Sequence, residues 1–401
     1  MTPLYEIGSE FHIEDAKGSC DLPALLTGEA SGAGYATRFL RCGRDSLGYI
    51  ADDILMMRGG KDKSGRLRIF MPALCCDSMI LPFYVRGYEV IFFRVNADLT
   101  IDTQHLSDLI GSASGDDAPV VLVMDYYGLT PVDDAKKRIR EAYPDAVIIE
   151  DVTHRVPDVR SFLKSDIAAD YFIGSIRKWM GVPDGAFVMQ KGAGHSIEST
   201  GETDFTTLRL QALREKKEYL DSPDRRKEVK DHFRGLLSDA EDSLDDGREP
   251  FAISRTSEGL LKSVDLSGMS AARHENFIAL KAALSENEFS GDLFDILNPD
   301  ATVPETPFML PVIMHIDRIR ERTSGAAGRS ITRDRFESKL AARGVYAPVL
   351  WPIDAKAAGI CKNAAYFAQN MLAFYIDHRY TPVHMRYAAD MFGEELRVLL
   401  G

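Results

Sequence analysis

Between about residues 40 and 190 short apolar runs alternate with amphipathic stretches, the pattern of strand–helix units whose strands are covered on both faces. The predicted strands are Arg68–Met71, Glu89–Phe93, Pro119–Met124, Ala146–Glu150 and Ala169–Ile173. Helix-like segments fall between them at about 44–57, 76–86, 103–112, 132–142 and 158–164. An unbroken run such as Val120-Val121-Leu122-Val123-Met124 has no polar face to offer water, so the expected core is a mainly parallel sheet between helices.

The pattern changes twice. Residues 196–247 carry dense opposite charges, as in Leu213-Arg214-Glu215-Lys216-Lys217-Glu218 and Arg225-Arg226-Lys227-Glu228-Val229-Lys230, which predicts solvated linking helices supported by pairs three or four apart. From about 250 onward a helix (267–284), an apolar run (Met309–Ile316), a helix (Thr332–Arg343) and two strand-like stretches (Val345–Trp351, Met371–Ile376) suggest a smaller α+β unit. The expected organisation is therefore a large α/β domain over 1–245, with the charged helices 196–245 included, and a small α+β domain over 246–401.

Composition narrows the function. The 401 residues are 45% hydrophobic and 27% charged, which fits packed domains and excludes general disorder. With 48 Lys and Arg against 61 Asp and Glu, the net charge of −13 repels nucleic-acid backbones and anionic membranes. No apolar run would span a bilayer, and Met1-Thr2-Pro3-Leu4-Tyr5-Glu6 has neither the basic nor the apolar part of an export signal, so the expectation is a soluble cytoplasmic protein. Five cysteines, two of them adjacent (Cys75, Cys76), match neither a disulfide framework nor a zinc spacing, and the nine scattered histidines give no metal pattern. Neither Gly-x-Gly-x-x-Gly nor Gly-x-x-x-x-Gly-Lys-Ser/Thr occurs.

The informative stretch is Ala146-Val147-Ile148-Ile149-Glu150-Asp151-Val152-Thr153-His154. An apolar strand ending in carboxylates places Asp151 at the C-terminal edge of the sheet, where open α/β sheets bind ligands. A later strand, Tyr171-Phe172-Ile173-Gly174, runs into Ser175-Ile176-Arg177-Lys178 and then the turn Pro183-Asp184-Gly185. An acid on one strand end and a lysine on another suit pyridoxal 5′-phosphate (PLP): the lysine amine forms a Schiff base with its aldehyde, and a carboxylate keeps its ring nitrogen protonated. Ser175 could bind the cofactor phosphate. Gly43-Arg44-Asp45, opening an apolar-periodic helix, could add backbone N–H groups to the same anion.

In this order the residues resemble the fold-type I PLP enzymes and, within them, the DegT/StrS-type sugar aminotransferases. Gly43-Arg44-Asp45-Ser46-Leu47 is similar to that family's phosphate turn, Glu150-Asp151-Val152-Thr153-His154 to its Glu-Asp-Ala-Ala-Gln, and Tyr126-Tyr127-Gly128 to its His-x-Tyr-Gly. Two departures mark a divergent branch. Cys76 stands where the family usually places a stacking aromatic, and Pro183-Asp184-Gly185-Ala186 replaces its Gly-Glu-Gly-Gly.

The resemblance implies a seven-stranded sheet, Lys178 as the Schiff-base lysine, Asp151 as the pyridinium partner, and Ser175 with Gly43, Arg44 and Asp45 as phosphate ligands. It further implies cofactor contacts at Cys76 and His154, glutamate as amino donor, a keto-sugar or other small carbonyl acceptor, and a homodimer. Arg177 and Arg379 are candidate ligands for a substrate carboxylate. Aminotransferase is the first expectation; a PLP-dependent lyase or dehydratase, and a catalytically inactive binding module of the same fold, are the alternatives.

Overall fold

The computed structural model describes residues 5–14, 18–59, 67–113, 118–165, 167–197, 199, 201–244, 248–323 and 331–401. Its main body is a seven-stranded sheet built from β1 (Tyr35–Leu40), β2 (Leu67–Pro72), β3 (Tyr88–Phe93), β4 (Val120–Met124), β5 (Val147–Asp151), β6 (Tyr171–Ser175) and β7 (Ala186–Lys191). The spatial order is β1-β7-β6-β5-β4-β2-β3. Strands β3, β2, β4, β5 and β6 are parallel, and β7 runs antiparallel to both its neighbours. The central strands are buried along their whole length, as their unbroken apolar runs required.

Helix α1 (Leu22–Gly32) precedes β1, and the helices between these strands are α2 (Gly43–Met57), α3 (Asp77–Tyr84), α4 (Thr103–Ala113), α5 (Asp133–Ala142) and α6 (Val159–Leu163). The predicted strands and helices of this region all appear, their ends shifted by a residue or a few. Strands β1 and β7 and helix α1 were not predicted. After β3 the chain passes back over β2 to build β4 beside it, so strand order reverses between β2 and β4, and a crevice opens at their C-terminal ends.

The charged stretch departs from its expectation. Residues Asp204–Asp221 (α7) and Lys227–Asp242 (α8) form a helical hairpin whose inner face buries Phe205, Ala212, Leu213, Tyr219, Phe233 and Ala240. Two of its charges are buried as well, Arg209 and Lys216. Charge density marked the solvent side, but three aromatics, Phe205, Tyr219 and Phe233, with small and aliphatic residues between them were enough to seat the other face. At one end Phe205, Ala240 and Leu244 pack against Cys42, the residue that begins α2.

The second sheet is antiparallel, in the order β10-β9-β8, from Phe294–Ile296 (β8), Met309–Met314 (β9) and Met371–Tyr375 (β10). Helices Leu266–Ser285 and Pro382–Leu400 pack on each other beside it, and the Phe392 ring meets Phe294, Phe336 and Phe374 edge-on. The stretch predicted as a strand at Val345–Trp351 is irregular beyond an isolated bridge, with Pro348 and Pro352 removing two backbone donors. That bridge joins Val345 to Ile7 near the other end of the chain. Ile7 donates its N–H to the Gly344 carbonyl at 2.7 Å, Tyr346 donates to the Ile7 carbonyl at 2.8 Å, and Ile13 donates to Leu213 of α7 at 3.1 Å. Among the described residues no helix is long and apolar enough to cross a membrane.

Candidate functional site

Three parallel strands end side by side at the crevice. The register pairs Met124 with Asp151 and Asp151 with Ile173, and all three residues line one cavity of about 100 Å³. Alternation along β5 sends the adjacent carboxylates to opposite faces. Glu150 is consumed structurally by Lys136, whose Nζ lies 2.6 Å from Oε2, which leaves Asp151 as the β5 carboxylate that faces the cavity.

Asp151 is 3% exposed, and its Oδ1 accepts the Thr153 N–H at 2.8 Å. Burial pushes its carboxyl above the usual carboxylate range, opposed by hydrogen bonds from Thr153 and by the charge of Lys178. An uncompensated carboxylate is expensive here, so the position suits a cation set against it.

The lysine comes from the next strand. Beyond Ser175 the chain makes one tight turn, Ile176–Lys178, held from two sides. Gly185, at φ +139°, presents its carbonyl to the N–H groups of Ile176 and Arg177 at 2.9 and 3.2 Å. From the acid's side, the Thr153 hydroxyl accepts the Ser175 N–H at 3.2 Å, and the Thr153 carbonyl accepts the Trp179 indole N–H at 2.7 Å. Thr153 thus fixes acid and amine relative to each other. The Pro183-Asp184-Gly185 turn is itself anchored: the buried Asp184 carboxylate accepts the Ser254 N–H at 2.9 Å, the Ser254 hydroxyl at 2.7 Å and the Ser257 hydroxyl.

Facing this turn is the N-terminus of α2. A Cβ placed on Gly43 would lie 3.9 Å from the Ser175 Cβ, so the serine and the helix end are neighbours. The first N–H groups of a helix cannot be satisfied within it and favour an anion. Gly43, Arg44, Ser175, Arg177 and Lys178 all line the cavity.

Of the residues singled out from sequence, the cavity gathers Lys178, Asp151, Ser175, Gly43, Arg44, Cys76 and Arg177. It does not include Asp45, His154 or Arg379. The Asp45 carboxylate is buried and held by Arg41 Nε and Nη2 at 2.8 and 3.0 Å, so Asp45 can offer only its backbone. His154 lies behind the cavity, its ring stacked on Phe308 at 4.3 Å and near-parallel to Trp351 at 5.9 Å. Its Nδ1 accepts the Tyr127 N–H at 2.9 Å, burial drives its pKa well below the usual value, and the proton therefore sits on Nε2, a buried atom without a partner. Arg379 is pinned by Asp377 at 2.7 and 2.9 Å and by the Glu10 and Ser9 carbonyls, and lines a different cavity, beside His12 and His378.

Sequence reasoning missed Thr153, Trp351 and Glu241. Cys76 Sγ lies 2.8 Å from the Ser78 hydroxyl at the start of α3, and Trp351 is the only aromatic ring lining the cavity among the described residues. A tryptophan in an irregular stretch between two prolines was the available signal for that role. Nothing in the charged run distinguished Glu241 from its neighbours.

No protein-family model matches the chain, and no curated protein matches it by sequence. Solved structures do match. PseC of Helicobacter pylori, an aminotransferase involved in the biosynthesis of pseudoaminic acid, aligns with a TM-score of 0.63 at 11% identity over 98% of this chain and 100% of its own. The PLP form of Spr1654 from Streptococcus pneumoniae, described as a sugar aminotransferase, gives 0.61 at 11% identity over 99% and 100%. The aminotransferase TlmJ from Streptoalloteichus hindustanus gives 0.61 at 14% over 98% and 100%. This likeness, with the sheet order and the lone antiparallel β7, gives the chain the fold of the fold-type I PLP-dependent transferases.

Proposed function

We propose that this chain, on the fold just described, is a PLP-dependent aminotransferase that moves an amino group from an amino acid, glutamate being the expected donor, to a keto-sugar or other small carbonyl compound. The observation that carries the reading is the meeting of a buried carboxylate (Asp151), an amine (Lys178), a hydroxyl (Ser175) and a helix N-terminus in one cavity, from segments far apart in sequence. The named activities of the structural neighbours support it. In the same reading residues 1–245 form the cofactor domain, 246–401 the smaller one, and the enzyme works as a homodimer.

The donor set fits the cofactor. Lys178 Nζ would hold it covalently, Asp151 would face its ring nitrogen, and Ser175 with the N–H groups at Gly43 and Arg44 would hold its phosphate.

When bound, PLP supplies an electron sink for the charge left on a substrate α-carbon after its proton is removed. Lys178 Nζ, released once the amine of the incoming substrate has taken its place on the cofactor, would take that proton as general base, a role worth about 10²–10⁴ in rate. Asp151 stabilises positive charge opposite it, and its burial strengthens that interaction. Thr153 keeps acid and base in register. Trp351 and Leu244 give the cavity an apolar wall.

The test is the visible absorbance of the purified protein with PLP, followed by borohydride reduction and peptide mass mapping. The reading expects an adduct on Lys178, loss of the band with the correct amino donor, and no adduct in Lys178→Ala. The absence of an adduct at saturating PLP, or an adduct mapped elsewhere, overturns it.

A further inference from the structure

The hairpin α7–α8 brings a carboxylate to the phosphate end of the cavity. Arg177 lies directly before Lys178 and lines the cavity, and its guanidinium sits 5.5 Å from the ring centre of Phe205, the residue that packs on Cys42 at the start of α2. Its Nη1 donates to Glu241 Oε1 at 3.0 Å, while its Nε is buried without a partner. Glu241, near the end of α8, lines the same cavity. The same Oε1 also accepts from Arg209 Nη1 at 3.3 Å.

Arg209 has other anchors. It is 1% exposed, its Nε donates to the Pro183 carbonyl at 2.9 Å and its Nη2 to Glu10 at 3.0 Å. The guanidinium charges of Arg209 and Arg177 overcome burial and hold the Glu10 carboxyl down at about 2, so Glu10 remains a dependable partner. Glu241 can therefore release Arg177 and stay paired through Arg209. Arg177, by contrast, has Glu241 as its one ion-pair partner among the described residues, and it stands beside Ser175 and the α2 N-terminus, where an anion is favoured.

On the PLP reading above, we propose that Glu241 is a resident competitor for Arg177: it occupies the guanidinium in the empty site and yields it to the cofactor phosphate, remaining on Arg209. Arg177 is then a phosphate ligand rather than a substrate ligand, and Glu241 sets how tightly the site takes its cofactor. A site that is competent only when Glu241 has let go binds with its intrinsic affinity reduced by that fraction. If the pair is formed about nine-tenths of the time, the penalty is about tenfold.

The test compares PLP with pyridoxal, which has the same ring and aldehyde but no phosphate, by equilibrium titration of wild type, Glu241→Gln, Arg177→Gln and the double variant in phosphate-free buffer. The proposal expects Glu241→Gln to bind PLP about tenfold more tightly and pyridoxal unchanged. Arg177→Gln should bind PLP at least tenfold more weakly with pyridoxal unchanged, and Glu241→Gln should add nothing in the Arg177→Gln background. Inorganic phosphate alone should raise the melting temperature of Glu241→Gln more than that of wild type, a readout that needs no cofactor. Unchanged or weaker PLP binding in Glu241→Gln would mean that the carboxylate only supports Arg177, and overturns the proposal; so would an equal gain for pyridoxal. Failure of wild type to bind either ligand is a different result, which removes the PLP reading and this inference with it.

Discussion

Replacing Thr153 by valine isolates the device that couples acid to amine. Valine keeps the shape of threonine but has no acceptor, so the buried Ser175 N–H, now 3.2 Å from the Thr153 hydroxyl, loses its partner. The backbone bonds from Thr153 N–H to Asp151 and from the Trp179 indole to the Thr153 carbonyl remain. A buried amide left unsatisfied costs about 1–3 kcal/mol. Spread over the unfolding entropy of a chain this long, that is a drop in melting temperature of roughly 1–4 °C, and urea titration should read it directly. A second effect is chemical. The Thr153 side chain helps hold the Asp151 carboxyl down against burial, so its loss raises that pKa further and should move the pH dependence of the PLP absorbance band upward. Thr153→Ser, which keeps the hydroxyl, should recover most of both effects. If Thr153→Val is within about 0.5 kcal/mol of wild type while Thr153→Ser is the worse variant, packing rather than the hydroxyl couples the two segments, and the reasoning fails.

Two further predictions concern one buried and one half-buried acid. Asp184→Asn replaces a carboxylate accepting from Ser254 and Ser257 with a group that has one acceptor oxygen, so a loss of about 2 kcal/mol and a weaker Lys178 adduct are expected, read by urea titration and borohydride trapping. Asp158 is pushed up to about 6, first by burial, with the Thr306 hydrogen bond and Arg155 opposing. Its folded form retains a proton that the unfolded chain releases near 4, so the stability it contributes at low pH is lost as pH rises through about 6. Asp158→Asn lacks this loss, and its stability relative to wild type should improve by roughly 1–1.5 kcal/mol between pH 5 and pH 8; a flat difference would remove the assignment.

The parallel strands were legible because strands buried on both faces must be apolar throughout, and Asp151, Ser175 and Lys178 were legible because they sit where such strands stop. Strand β1 was not, since Tyr-Ala-Thr-Arg-Phe-Leu at the edge of the sheet has no such run; β7 did, and was overlooked behind the turn that precedes it. The final helix carried its own signal in Thr381-Pro382, a capping residue followed by proline at the first helical position. His154 shows the limit in another way. The resemblance implied a cofactor contact for it, but the turn of the chain after Asp151 puts the ring among Tyr127, Phe308 and Trp351, two of which arrive from distant segments. The roles of Glu241 and Trp351 depend on long-range packing of a hairpin and a loop, which spacing within one segment does not encode.

The N-terminal stretch that clasps Gly344, Tyr346 and Leu213 also sets an order of events when the chain is made. The Gly8 N–H is satisfied by the Tyr380 hydroxyl, 372 residues further on. At ribosomal speeds of about 5–20 residues per second, that partner emerges roughly 20–75 s after the first. The seven-stranded sheet, whose strands are complete by Lys191, can form in that interval while Ile7 and Gly8 still lack their backbone partners. Closure of the clasp at Ile7 and Gly8 is therefore a late event, contingent on residues 344–380, and until then this segment stays open to a chaperone or to a mistaken strand partner.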